Sequence, residues 1–251
     1  MTNAKLRVAA VADLHFTRTS QGAMQTLLAG VSDTADVLLL CGDLTHHGHV
    51  EEATALAKDL GFLRVPIIAV LGNHDFHSDQ QEEIQRVMVD AGIHALDGDA
   101  VEIGGVGFAG VKGFASGFGR RVLEPWGETI IKQFVHEAVG EALKLESALA
   151  RLSTPQRVAV LHYAPISETV EGEPLEIWPF LGSSRLEDPL NRFKVAVAFH
   201  GHAHHGKEEG RTSSGIPVYN VSLPLMRSRG VEGPLYRVIE IPLIANAEAA
   251  R

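Results

Sequence analysis

A run of apolar residues, Val37-Leu38-Leu39-Leu40-Cys41, stops abruptly at Gly42-Asp43. A short, unbroken apolar run of this kind predicts a strand buried on both faces, as in a parallel sheet covered by helices. Glycine at its end permits a sharp exit and close approach by other groups. Ligands of open α/β sheets collect beyond the carboxyl ends of the strands, so Asp43 stands where a site residue belongs. A lone aspartate is more often a turn or helix-cap residue than a ligand, and the case rests on what else converges there.

The pattern recurs on either side. Leu6–Ala12 reads as a strand followed by Asp13-Leu14-His15, and Pro66–Leu71 as a strand followed by Gly72-Asn73-His74-Asp75. Helical spacing over Gln21–Asp33 and Val50–Leu60 fills the gaps, so residues 6–75 read β-α-β-α-β with parallel strands. Beyond a charged helix over Asp79–Ala91 the pattern changes. Val101–Ile103 and Val106–Val111 read as a hairpin, Gly113–Gly119 as a glycine-rich loop, and Glu128–Leu152 as a long helix with an apolar stripe. Strands follow at Arg157–Leu161, Lys194–Phe199, Pro217–Val221 and Leu235–Ile241, with Tyr163–Ser184 a long loop over the site. The reading is one domain, residues 1–244, and a frayed tail, 245–251.

A net charge of −9 argues against non-specific nucleic-acid binding, which needs a basic footprint. Cys41 is the one cysteine, so no intrachain disulfide can form, and its apolar neighbours make it a small buried hydrophobe. The first residues lack a signal-peptide pattern, and no apolar segment reaches the roughly 18 residues of a bilayer span. A cytoplasmic protein with no membrane partner is expected.

Polar clusters fall at five strand ends: Asp13/His15, Asp43, Asn73/His74, His162 and His202/His204. Asp, Asn and His supply oxygen and nitrogen without thiolate, a set suited to Mn, Fe, Zn, Co or Ni. Asp13-x-His15 can chelate one ion; His202-x-His204 can do the same or divide its rings between two. Singly, each has a plain structural explanation: a lone His162 is a core histidine, and Asn73 holds a left-handed turn.

Taken together, Asp13-x-His15, Gly42-Asp43, Gly72-Asn73-His74-Asp75, His162 and Gly201-His202-x-His204 resemble the calcineurin-like metallophosphoesterase family. The resemblance spans residues 13–204, with Asp13, Asp43 and Asn73 at equal 30-residue intervals. It implies a four-layer α/β/β/α sandwich, two mixed β-sheets flanked by helices. It further implies two metal ions bridged by Asp43. Asp13, His15 and His204 would complete the first ion's protein shell, and Asn73, His162 and His202 the second. A water or hydroxide between the ions would be the nucleophile, with His74 as proton donor. Asp75 would either orient His74 or start a solvent-exposed helix.

Related protein phosphatases continue the second motif as Gly-Asp-x-x-Asp-Arg-Gly, whereas this chain has Gly42-Asp43-Leu44-Thr45-His46-His47-Gly48. Histidine lacks the bidentate fork with which arginine holds a doubly charged phosphate. The substitution leans the reading toward small phosphodiester substrates, with His46 and His47 as candidate substrate contacts. The alternatives are a phosphomonoesterase or protein phosphatase and, in another class, a non-catalytic scaffold, disfavoured because the ligand set is intact. Lys112, Arg120 and Arg121 read as surface charges, and Tyr163 and Trp178 as buried aromatics.

Overall fold

The computed structural model describes residues 4–230 and 233–244; the tail expected over 245–251 lies outside the described residues. Strands β1 (Lys5–Val11), β2 (Val37–Cys41) and β3 (Ile67–Val70) run parallel, and β4 (His94–Ala95) continues the sheet. The second sheet begins with β5 (Asp99–Ile103) and β6 (Val106–Gly110), an antiparallel pair, followed by parallel β7 (Gln156–Val160) and β8 (Val197–His200). Short β9 (Glu209–Arg211) and β10 (Pro217–Asn220) complete it, while β11 (Arg237–Pro242) returns antiparallel to β1. The strand orders are β11-β1-β2-β3-β4 and β5-β6-β7-β8-β10-β9. Two mixed sheets flanked by helices are the architecture expected.

Side-chain alternation builds the layers. Phe108, Val158, Val160, Val197 and Phe199 point into the cluster that contains β1–β3. Their neighbours Ala109, Ala159, Leu161 and Ala198 point the other way, against Leu145, Ala148 and Leu149 of the helix Thr129–Ala150. This is the period-two pattern of strands covered on both faces. On the first sheet, Leu56 and Leu60 of Val50–Leu60 and Ile84 and Met88 of Gln81–Asp90 belong to the same core cluster. The layering brings the carboxyl ends of β1, β2, β3, β7 and β8 together.

The single helix expected over Gln21–Asp33 is instead two short ones, Ala23–Leu27 and Val31–Thr34. Gly30, at φ 154°, breaks the run. The segment Tyr163–Ser184 is likewise not a plain loop: it holds helical turns at Glu168–Val170, Leu175–Ile177 and Trp178–Leu181. Ser183 ties it to the glycine-rich loop through a 2.6 Å contact between its Oγ and that of Ser116.

Candidate metal centre

Each strand end turns sharply, and much of the backbone there is strained. Asp13, His15, Asp43 and His202 have φ of 59°, 43°, 50° and 68°, a region non-glycine residues seldom occupy. Gly42 itself has φ 85°, and a Cβ on it would overlap the His162 ring. A Cβ on Gly72 would collide with the Asp43 carboxylate. These glycines let residues from different strands close on one another.

Asp13 and Asp43 are 1% exposed, at the base of the site. The Asp13 carboxylate accepts from the His202 backbone N–H at 3.1–3.2 Å and lies 3.1 Å from His204 Nε2, joining the two sheets. Asp43 Oδ1 accepts from the His74 N–H at 2.8 Å and stands 3.3 Å from His162 Nε2. Its other oxygen faces His15 Nε2 at 3.8 Å and His74 Nε2 at 4.0 Å. Ligand-type atoms of Asp13, His15 and His204 all lie within 4.8 Å of one another, as do those of Asp43, His162 and His202.

Hydrogen bonding tests whether a cation fits. His162 Nδ1 lies 3.0 Å from the Cys41 carbonyl, which can only accept, so Nδ1 carries the proton and Nε2 a lone pair. That lone pair faces Asn73 Oδ1 at 2.9 Å and Asp43 Oδ1 at 3.3 Å, so three electron-rich atoms converge. His202 Nε2 similarly faces the Phe180 carbonyl at 3.2 Å, leaving its Nδ1 as the free lone pair. His15 Nδ1 is buried without a hydrogen-bond partner. A divalent cation is what such a cluster accommodates.

The electrostatics agree. Burial lowers His15 to about 4 and, with the His162 ring nearby, His202 to about 3. Burial lowers His162 as well, so these rings are held neutral, the metal-binding form. Burial also raises Asp43, helped by Asp13 and Asp75, so its carboxylate is starved of a positive partner. Asp13 is held well below the usual range: burial opposes ionisation, but the His204 hydrogen bond and the adjacent His162 and His202 rings outweigh it.

The profile of calcineurin-like phosphoesterases matches residues 6–206. The chain belongs to the calcineurin-like phosphoesterase family. It is a hydrolase of a metal-dependent phosphoesterase class, and the Asp and His groups above are those that could bind its metal ions. No curated protein matches its sequence. Among solved structures it is similar to phosphopantetheinyl hydrolase from Mycobacterium tuberculosis, at 15% identity and TM-score 0.67 over all of both chains. A Staphylococcus aureus structure named as a 5′-nucleotidase matches at 13% identity and TM-score 0.54, over 98% of this chain and 55% of that one. The Plasmodium inner-membrane-complex anchor GAP50 matches at 12% and 0.50, over 88% and 72%. At these identities the likeness is one of fold. No helix among the described residues is long and apolar enough to cross a membrane.

The residues around this calcineurin-like centre divide in ways the motifs did not announce. His46 approaches the site, its ring 5.6 Å from His15 and 5.7 Å from His74. His47 is half-exposed, and its Nδ1 is bound to Glu52 at 2.9 Å. Asp75 is neither beside the His74 ring nor exposed at a helix start. It is fully buried and accepts from the backbone N–H groups of Leu44, Thr45 and Gly72 and from the Thr45 hydroxyl, at 2.6–3.2 Å. It thereby braces the Gly42-Asp43 turn against the Gly72-Asn73 turn. Lys112, expected on the surface, is buried with Nζ 4.8–5.4 Å from the rings of Phe76, Phe114 and Tyr163. Two participants had no sequence signal: the Phe180 carbonyl that orients His202, and Arg227, which lines a cleft with Asp13 and His15.

Proposed function

We propose that the chain hydrolyses small phosphodiesters at a dinuclear metal centre. In this reading Asp43 serves both ions, Asp13, His15 and His204 hold the first, and Asn73, His162 and His202 hold the second. The observation that carries it is the pair of acid–imidazole groups meeting at Asp43, one on each side of its carboxylate. When bound, two such ions supply an activated water and neutralise phosphoryl oxygens, and the donor set suits Mn, Fe or Zn.

His74 is the proton donor. Its Nδ1 donates to the His46 carbonyl at 2.8 Å, which fixes the tautomer and turns Nε2 toward Asp43 Oδ2. A protonated ring in this orientation presents its Nε2–H to a departing alkoxide, while the carbonyl supports the positive charge. Asp75 positions the two turns without touching substrate. The lean to diesters rests on the motif positions of His46 and His47, where a phosphate-clamping acid and arginine are absent, and on His47 facing Glu52 instead.

Metal-stripped protein reloaded with Mn, Fe or Zn and assayed on matched diesters and monoesters tests the reading. About two metal equivalents per chain and a higher kcat/KM on the diester are expected. A preference for monoesters across the panel overturns the substrate class, and activity without metal overturns the centre.

A further inference from the structure

A cleft of about 390 Å³ opens beside the first acid–imidazole group. Asp13, His15 and His46 line it on the side of the centre, together with apolar Met24 and Pro224 and with Arg227. Neither Asp43 nor His74 lines it, so it lies beside the middle of the centre. Arg227 belongs to the helix Leu223–Ser228, is exposed, and makes no side-chain hydrogen bond or ion pair among the described residues. Arg18, Arg64, Arg86, Arg120 and Arg121 are also exposed without a side-chain partner among the described residues, so what sets Arg227 apart is its place on the wall of this cleft beside Asp13 and His15. A guanidinium left unpaired on the wall of a cleft that presumptive metal ligands also line offers a planar, two-point site for a carboxylate or phosphate.

We infer that this cleft receives one organic arm of the substrate and that Arg227 recognises an anionic group carried on that arm. The inference rests on the phosphoester reading of the centre. The cleft is larger than the reacting phosphate requires and has the size of a small-molecule subsite. Its apolar residues suit the carbon skeleton of the arm, and His46 and His15 line the side at which the arm joins the phosphate. The chemistry selected is a phosphoester whose arm bears a second negative charge. Arg227 is a specificity-determining residue by this account, not a clamp on the phosphate undergoing attack.

The test uses matched arms differing only in terminal charge. 4-Carboxyphenyl and 4-carbamoylphenyl esters of phenyl phosphate form a diester pair, and the corresponding phosphates a monoester pair. In the metal-loaded wild type, kcat/KM for the carboxylate member should exceed that for the carboxamide by about tenfold, chiefly through KM. Arg227→Gln should bring the ratio close to one, and Arg227→Lys, which keeps charge but not the fork, should give an intermediate ratio. Calorimetric Kd values for the same pairs read the ratio where turnover is slow, and thermal midpoints and metal content establish that the variants are folded. No carboxylate preference in wild type, an unchanged ratio in Arg227→Gln, or an equal loss on both members each overturns the inference; the last would place Arg227 on the reacting phosphate. If only monoesters are turned over, the diester reading fails, while the ratio measured on the monoester pair still decides the role of Arg227.

Discussion

His162 Nδ1 donates to the backbone carbonyl of Cys41 across 3.0 Å, so the last residue of β2 sets the tautomer of a histidine that follows β7. The first sheet thereby aims a lone pair of the second sheet at Asp43. The buried cysteine takes part through its backbone alone, and its thiol, which burial holds in the protonated form, has no role in the centre.

Replacing His162 by alanine should remove one of two metal equivalents and leave the Asp13/His15/His204 group occupied. The imidazole belongs to only one of the two acid–imidazole groups. Elemental analysis of the purified variant checks this: retention of both equivalents would mean that His162 is not a ligand, and loss of both that the two groups fill only together.

His74→Ala should lower kcat by roughly a hundredfold or more, the usual range for loss of a positioned general acid, with metal content unchanged. The His74 ring is absent from the two groups assigned to the ions, and its Nδ1 is already occupied by the His46 carbonyl. It does fall into a third cluster with His15 and His46, so metal analysis alongside kinetics is decisive. Parallel loss of metal and turnover would make His74 a ligand.

Asp75→Ala leaves the N–H groups of Leu44, Thr45 and Gly72 without their shared acceptor in a fully buried position. Unsatisfied buried donors cost about 1–3 kcal/mol each, so denaturant unfolding of the metal-free variant should show a loss of at least about 3 kcal/mol. Metal occupancy should fall with it, because both turns that Asp75 braces carry proposed ligands, Asp43 and Asn73. A variant with normal stability and metal content but no turnover would instead return Asp75 to a direct role on His74.

The limits of sequence reading follow from the same contacts. β1–β3 were legible because each is a short apolar run ending in polar residues, and the later motifs because His162 and the His202/His204 pair follow within a few residues of a strand. The break at Gly30 was not legible: the apolar spacing of Gln21–Asp33 continues through a residue whose φ only the tertiary packing reveals. Asp75 looked catalytic beside His74, yet its carboxylate points back into the fold. Lys112 looked like surface charge, since nothing local announces that Phe76, Phe114 and Tyr163 meet around it. Arg227 lies past the last motif, and only the folded chain brings it to the wall of a cleft that Asp13 and His15 also line.

His200 should make the metal-free protein less stable in acid. His200 is fully buried, with Nδ1 donating to the Gly201 carbonyl at 2.8 Å and Nε2 paired with the Thr169 hydroxyl at 2.8 Å. Burial disfavours the charged ring and lowers its pKa from 6.5 to about 4. Between those values the unfolded chain binds a proton that the folded chain refuses, so its contribution to stability falls as pH drops from 6.5 toward 4 and levels off below. At 1.36 kcal/mol per pH unit, the full contribution is on the order of 3 kcal/mol. His15 and His202, also lowered, act in the same direction, whereas His204, raised by its hydrogen bond to Asp13, and Asp43 and Asp75, raised by burial, act in the opposite one. The difference between wild type and His200→Gln separates this residue from the others. Urea unfolding of both metal-free proteins at pH 7.5, 6, 5 and 4.5 should show the wild type losing stability relative to the variant across the window. Parallel curves would show that His200 takes up its proton in the folded state as readily as in the unfolded one.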